Sequence, residues 1–252
     1  MEHTTLMRKR LRAMVRRGGV VLPGAFNALG ARLIQKAGFK GVYISGAGLN
    51  NGAGFPDIGL LTLTEFAAMA GYIARATDLP CLCDADTGFG EAVNVSRCVR
   101  EMERAGVAGI HIEDQVFPKR CGHLSGKHLI PVEQMVRKIK TAVLSREDKN
   151  FLIIARTDAR STEGLDGAVE RARAYALAGA DMIFPEALRN RAEFADFARK
   201  VKTPLLANMT EFGVSPLLSS KELFKMGYKI VIYPMGAFRT MMKACEGFYS
   251  AL

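Results

Sequence analysis

The sequence predicts a single (β/α)8 TIM barrel, an α/β domain in which eight parallel strands close on themselves inside a ring of helices. Three observations predict it. Short β-branched or apolar runs occur eight times, segments with helical spacing lie between them, and no Pro-rich or Ser-rich linker interrupts the 252 residues. Strands that alternate with helices pair in parallel through right-handed crossovers. An open doubly wound sheet is the alternative, but eight even units and the lack of a GxGxxG after the first strand weigh against it.

The first strand is VVLPG at 20–24, followed by the amphipathic AFNALGARLIQKAG, and the second is GVYISG at 41–46. PCLCDAD (80–86) precedes the helical AVNVSRCVREMERAG, and AGIHIED (108–114) precedes PVEQMVRKIKTAVLS. FLIIARTD (151–158) leads into GLDGAVERARAYALAGA, and DMIFPEA (181–187) into RAEFADFARKV. TPLLANM (203–209) and YKIVIYP (228–234) complete the eight strands. The helical segments repeat apolar residues every three to four positions, so each offers one face to the sheet, and the AG pairs near their ends suit helix C-caps.

Composition bounds the function. At 49% hydrophobic residues the chain can bury a large core. No apolar stretch reaches the roughly 18 residues of a membrane span, and the start MEHTTLMRKRLRAMVRRGG lacks the apolar centre of a secretory signal, so the expected compartment is the cytoplasm. Cys81, Cys83, Cys98, Cys121 and Cys245 are odd in number and scattered, which reads as free thiols rather than bridges. The net charge is +10, and Arg8, Lys9, Arg10, Arg12, Arg16 and Arg17 supply six of it without a single acid between them. The rest of the chain carries 10 less 6, or +4, so residues 1–18 read as a local basic helix with a solvated face. No aromatic stacking platform accompanies it, and neither nucleic acid nor membrane is expected as a partner.

The strand ends are where the chemistry concentrates. Buried parallel strands are normally apolar, yet these finish in Ser45, Asp84, Asp86, Glu113, Asp114, Arg156, Asp158, Glu186 and Asn208. In a barrel all C-terminal strand ends meet at one face, where barrel enzymes keep their active sites. Any one such residue could simply cap a loop; the whole set facing inward needs a counter-ion. Asp84 and Asp86 stand two apart, which on a strand points them the same way, and paired carboxylates with open oxygen geometry suit Mg²⁺, or Mn²⁺. Of Glu113 and Asp114 only one can join them. Glu113 is chosen, because it shares a face with His111 while Ile110 and Ile112 turn to the helices. The CxC of Cys81 and Cys83 reads as core packing.

Two loops complete the candidate site. SGAGLNNGAGFPD after the second strand is glycine-rich enough to turn amides toward an anion, with Ser45 adding a hydroxyl, or to act as a lid. In KRCGH, Cys121 has Lys119, Arg120 and His123 as neighbours, and cations favour a thiolate. Residues 116–128 are expected to form a mobile active-site loop, with Cys121 as acid/base, nucleophile or bystander. Arg156 and Arg239 are candidate carboxylate clamps.

With these residues in place the sequence resembles the isocitrate lyase and phosphoenolpyruvate mutase superfamily, and within it the branch that cleaves 2-methylisocitrate. The likeness runs nearly end to end through GVYISGAG, PDIGLLT, DADTGFG, IHIEDQVFPKRCGH, ARTDAR, EGLDGAVERA, IFPEAL, LLANMTEFG and YPMGAFR. KRCGH is the most specific of these. The resemblance implies a Mg²⁺-dependent retro-aldol or retro-Claisen cleavage of 2-methylisocitrate into pyruvate and succinate, a step in propionate catabolism. It implies a metal held by Asp84 and, directly or through water, by Asp86, Asp57 and Glu113, and a pyruvate carboxylate at Ser45, Gly46 and Ala47. Arg156 would meet the oxygen that becomes the pyruvate carbonyl, and Tyr43 would serve as the base on the hydroxyl side. Cys121 would protonate the succinate carbanion with His123 and Glu186 tuning the proton network, while Gly122, Asn208, Thr210 and Arg239 hold the succinyl carboxylates.

Two departures stand out: SGAGL has alanine where relatives have a third glycine, and the chain stops at Leu252, without the helical tail that relatives pack on a neighbouring subunit. A homo-oligomer, a homotetramer or dimer of dimers, is expected from the family. The alternatives are a sister enzyme acting as a 2,3-dimethylmalate lyase or an oxaloacetate hydrolase or decarboxylase, and, from another class, a non-catalytic basic barrel that binds RNA or protein through residues 8–17.

Overall fold

A computed structural model describes residues 2–124 and 126–252; Met1 of the basic helix and Ser125 of the 116–128 loop lie outside the described residues. The chain runs α1 (Glu2–Arg17), β1 (Val20–Ala25), α2 (Ala28–Lys36), β2 (Val42–Ile44), α3 (Gly46–Gly52), α4 (Leu63–Arg75), β3 (Cys81–Asp84), α5 (Ala92–Ala105) and β4 (Gly109–Glu113). It continues with α6 (Val132–Ser145), β5 (Leu152–Thr157), α7 (Gly164–Leu177), β6 (Met182–Pro185), α8 (Arg191–Lys200), β7 (Leu205–Asn208), α9 (Ser220–Met226), β8 (Tyr228–Tyr233) and α10 (Gly236–Ala251). The strands form one closed barrel in chain order, every neighbour parallel and β8 returning to pair with β1. All eight expected strands are present, and the fold is the expected (β/α)8 barrel.

Strand alternation divides the interior into two apolar layers. Ile110 and Ile112 face outward into the layer between strands and helices with Phe66, Val99 and Ile139, while Leu82, Ile154, Met182, Phe184 and Ile230 fill the barrel itself. His111 and Glu113, the alternate residues of β4, are both buried. This alternation is what delivers polar strand ends to one mouth.

The other mouth is stoppered. Leu11 and Val15 of α1 join the inner layer with Val20 and Leu22. Arg8 is buried, donating from Nη2 to the Glu103 carbonyl at 2.7 Å, with Nη1 3.3 Å from Asp148 Oδ2. Arg12 Nη2 meets Asp181 Oδ1 at 2.9 Å, and Arg10 donates to the Asp78 carbonyl at 3.0 Å. The expectation of a solvated basic face is therefore corrected: two of its six cations are ion-paired into the barrel floor, because a helix that plugs a ring of strand N-termini meets the acids beside them.

A second correction concerns the glycine-rich segment after β2. Gly46–Gly52 is a helix rather than a loop, with the Ser45 hydroxyl at its N-cap accepting from Gly48 N at 3.2 Å. Capping overrides the weak helix propensity of its three glycines. The crossover helix that the alternating pattern requires between β2 and β3 is α4, a segment not among the helices read from the sequence, although its Thr62–Glu65 capping box is a sequence-readable start signal.

Candidate active site

The open mouth surrounds a cavity of about 490 Å³. Tyr43, Ser45, Ala47, Asp57, Asp84, Cys121, Gly122, His123, Arg156, Glu186, Asn208, Thr210 and Arg239 reach its wall, from strand C-termini, the loops after them and, for Ala47 and Arg239, the starts of α3 and α10. Gly46, Asp86 and Glu113 lie behind that wall. Gly46 is needed as a glycine, since a Cβ there would stand 2.5 Å from Asp84 Oδ2.

The carboxylates form a buried cluster. Asp84 ends β3, and its Oδ1 accepts from Asp86 N at 2.9 Å. Asp86 is not its strand partner on one face: β3 has already stopped, and Asp86 turns with φ +44°, a left-handed conformation that aspartate tolerates. The ammonium of Lys119 fills the space in front of it, 2.8 Å from Asp86 Oδ1 and 2.5 Å from Asp57 Oδ1. Glu113 is buried with both oxygens accepting no hydrogen bond, although Arg156 Nε approaches Oε2 to 3.2 Å. Burial raises all three: Asp86 is pushed up to about 6, Asp84 stands above the ordinary carboxylate range, and Glu113 well above it.

These orphaned oxygens are the test of whether a cation fits. Among the described residues no group of three or more His, Cys, Asp and Glu side chains is placed to hold a metal ion alone. Of the four expected ligands Asp84 faces the cavity, while Asp57 and Asp86 carry Lys119, a looser set of the kind that reaches a cation partly through water. Such a set suits Mg²⁺, which keeps several waters and needs only one or two carboxylates, and it would not build a closed protein cage.

The KRCGH loop lies over the cavity. Its Gly122 docks so closely that a Cβ would collide with the Arg156 guanidinium and the Glu186 side chain. Cys121 is half-buried, and burial raises its thiol above the ordinary range, with the His123 N–H pulling the other way. The expectation that neighbouring cations favour a thiolate is corrected: burial outweighs them, and Lys119 pairs with Asp57 and Asp86 instead of the thiol. A protonated thiol is what remains.

Arg156 is a hub instead of a free clamp. Its Nε and Nη2 lie 2.9 and 3.2 Å from the two Asp158 oxygens, its Nη1 lies 3.4 Å from Glu186 Oε2, and the guanidinium sits 5.2 Å over the Phe184 ring. Burial alone would raise Glu186, but Arg156 and the His123 hydrogen bond hold it well below the ordinary range. His123 Nδ1 accepts from Val214 N at 3.1 Å, which leaves the proton on Nε2, 3.3 Å from Glu186 Oε1. Asn208 Nδ2 donates to the same carboxylate at 3.3 Å. Arg239 pairs with Glu211 Oε2 at 2.8 Å, so its clamp is shared with an acid that the sequence reading did not include. Tyr43 stacks parallel to His111, with its hydroxyl 2.8 Å from His111 Nε2. Burial lowers His111 to about 3 and raises the Tyr43 phenol well above its ordinary value, so both are neutral.

Lys119, Lys127, Asp158, His111 and Glu211 escaped the site assignment. Lys119 and Lys127 flank Cys121 by two and six positions, but their burial depends on where the loop folds, which spacing does not reveal. Asp114, the residue passed over in favour of Glu113, points away as expected and takes Thr157 Oγ1 at 2.7 Å and Tyr175 OH at 2.8 Å.

A parallel barrel with buried carboxylates, a guanidinium and a thiol at its C-terminal mouth is the arrangement of a barrel enzyme's active site. The chain belongs to the phosphoenolpyruvate phosphomutase family, which matches residues 11–252, within the superfamily that also holds isocitrate lyase. It is 56% identical over 227 residues to the 2-methylisocitrate lyase of Aeropyrum pernix, covering 90% of this chain and 73% of that one. It is 48% identical over 234 residues to the 2,3-dimethylmalate lyase of Eubacterium barkeri, covering 92% and 81%. Among solved structures, a 2,3-dimethylmalate lyase superposes with a TM-score of 0.94 at 37% identity, covering 99% of this chain and 84% of that one. A phosphonopyruvate hydrolase in complex with oxalate and Mg++ gives 0.88 at 32% identity, covering 97% and 86%.

Proposed function

We propose that this chain is a Mg²⁺-dependent carbon–carbon lyase that cleaves 2-methylisocitrate into pyruvate and succinate. The observation that carries the reading is the Cys121 thiol, half-buried on a loop over a cavity whose wall includes Asp84 with Asp86 and Glu113 buried behind it. Relatives of that name at 46–56% identity support it. Mg²⁺ held at Asp84, with Asp57, Asp86 and Glu113 around it, would supply Lewis-acid polarisation of the substrate oxygens.

The residues of the chain do the rest. Ser45 and the first amides of α3, Gly46 and Ala47, receive a carboxylate at a helix N-terminus. Tyr43, hydrogen-bonded to His111, is the candidate base on the hydroxyl side. As the C–C bond breaks, the oxygen becomes the pyruvate carbonyl beside Arg156, and the electron pair stays on the carbon alpha to a succinyl carboxylate. Cys121 protonates that carbon, and His123 with Glu186 restores the thiol proton. Asn208, Thr210, Gly122 and Arg239 hold the departing diacid. A loop 116–128 that opens to admit substrate, and assembly into a homo-oligomer, belong to the same reading; sedimentation tests the second.

The deciding experiment incubates the protein and Mg²⁺ separately with 2-methylisocitrate, isocitrate, 2,3-dimethylmalate and oxaloacetate, following pyruvate, glyoxylate and oxalate. Pyruvate from 2-methylisocitrate at the highest kcat/KM is expected. A higher kcat/KM on 2,3-dimethylmalate or oxaloacetate would move the chain to the sister activity.

A further inference from the structure

The loop bearing Cys121 is pinned to the barrel at several points. Its neck is a short antiparallel pairing, with Gln115 bridging Leu129 and Val116 N donating to the His128 carbonyl at 2.8 Å. Beyond the neck, Lys119 reaches Asp57 and Asp86 on one side. On the other, Lys127 is 5% exposed, donates from Nζ to the Gly122 carbonyl, and sits 2.9 Å from Asp158 Oδ1.

Asp158 is fully buried and holds Arg156 through both its oxygens, of which Oδ1 is shared with Lys127. It is braced from behind, its N–H donating to Asp114 Oδ1 at 2.9 Å, while Asp114 Oδ2 takes Thr157 and Tyr175. One rigid carboxylate therefore fixes both an arginine of the cavity wall and the backbone next to the thiol. Lys127 does not itself line the cavity. Burying an ammonium is costly unless it is paired and hydrogen-bonded, and nothing in the apolar layers of the barrel needs this one.

We infer that Lys127 is a positioning residue that ties the Gly122 carbonyl to Asp158 and so sets the Cys121 thiol at a fixed place relative to Arg156. The inference rests on the proposed role of Cys121 as proton donor. Without the Lys127 ammonium, Asp158 keeps Arg156 and the barrel keeps its core, but the Gly122 carbonyl loses its donor and the thiol drifts. A displacement of about 1 Å at a reacting group costs on the order of 100-fold in rate.

The test compares wild type, Lys127→Met and Lys127→Arg, each checked for a native thermal transition. Turnover is read on whichever of the four acids the wild type cleaves, and Cys121 alkylation by iodoacetamide is followed by peptide mass, because Cys245 is also reachable. Lys127→Met is expected to lower kcat about 100-fold with KM within about threefold, as for an interaction needed only in the transition state. It is also expected to speed Cys121 alkylation about tenfold, with Lys127→Arg recovering most of both. If Lys127→Met does not fold, Lys127→Ala, which likewise leaves the Gly122 carbonyl without a donor, replaces it with the same outcomes. Wild-type kcat together with a wild-type alkylation rate overturns the assignment. Should the wild type cleave none of the acids, the proposed function fails while the alkylation arm still decides the role of Lys127.

Discussion

A thiol that burial keeps protonated can deliver a proton without waiting to acquire one, and this sets the behaviour expected of Cys121. Cys121→Ser should lower kcat by about 10²–10⁴, the usual worth of general acid catalysis, while KM changes little. The kcat profile should hold to pH values above the ordinary thiol range of about 8.5 before falling, and Cys121→Ser should lose that alkaline limb. His111 allows a separate test of folding. Its folded pKa of about 3 lies below its unfolded value, so the stability it contributes is complete above that unfolded value and drains away as pH falls toward 3. The stability advantage of wild type over His111→Gln should therefore shrink by up to about 1.4 kcal/mol per pH unit between pH 6 and 3, measured by urea unfolding. At this scale the sequence was most legible where strand alternation applies. His111 and Glu113 fall inward and Ile110 and Ile112 outward because a strand repeats every two residues. Asp86 broke the same logic one step past the strand end, and the partners of Lys119 and Lys127 follow from loop conformation, which no period encodes.

Helix α1 shows how an element can mislead by composition. Six cations and no acid suggest a solvated or polyanion-facing stretch, whereas Leu11 and Val15 seat it in the barrel floor and Arg8 is buried against Glu103 and Asp148. Arg8→Ala should cost roughly 3 kcal/mol, since it strips a buried acid pair of its counter-charge. Lys9→Ala, on the exposed face, should stay within about 0.5 kcal/mol. Both are read from urea midpoints. The strands were found because each apolar run is bounded by turn residues. Helix α3 was missed because capping by Ser45 decided the issue against three glycines, and α4, the crossover helix that parallel β2 and β3 require, because no helical segment was assigned after the glycine-rich stretch.

For the whole molecule the decisive quantity is how the carboxylate cluster is neutralised. Three buried acids raised in pKa favour uptake of either protons or a cation. Mg²⁺ at 100 times its Kd should stabilise the fold by about 2.7 kcal/mol, or about 5–10 °C in Tm for a chain of this size. Asp84→Asn should abolish both the shift and turnover, and chelation should reverse the shift in wild type. A wild-type Tm indifferent to Mg²⁺ would speak against the metal at this site.

The packed bore also governs traffic. A tube open at both ends could admit a reactant at one and discharge fragments at the other. Here Leu82, Ile154, Met182 and Phe184 fill the bore and Leu11 and Val15 close its floor, so among the described residues the way in is the mouth beneath the Cys121 loop. Two fragments born in one blind chamber must leave through the same gate, the outer ahead of the inner. Product-inhibition patterns should accordingly report departure in a fixed order.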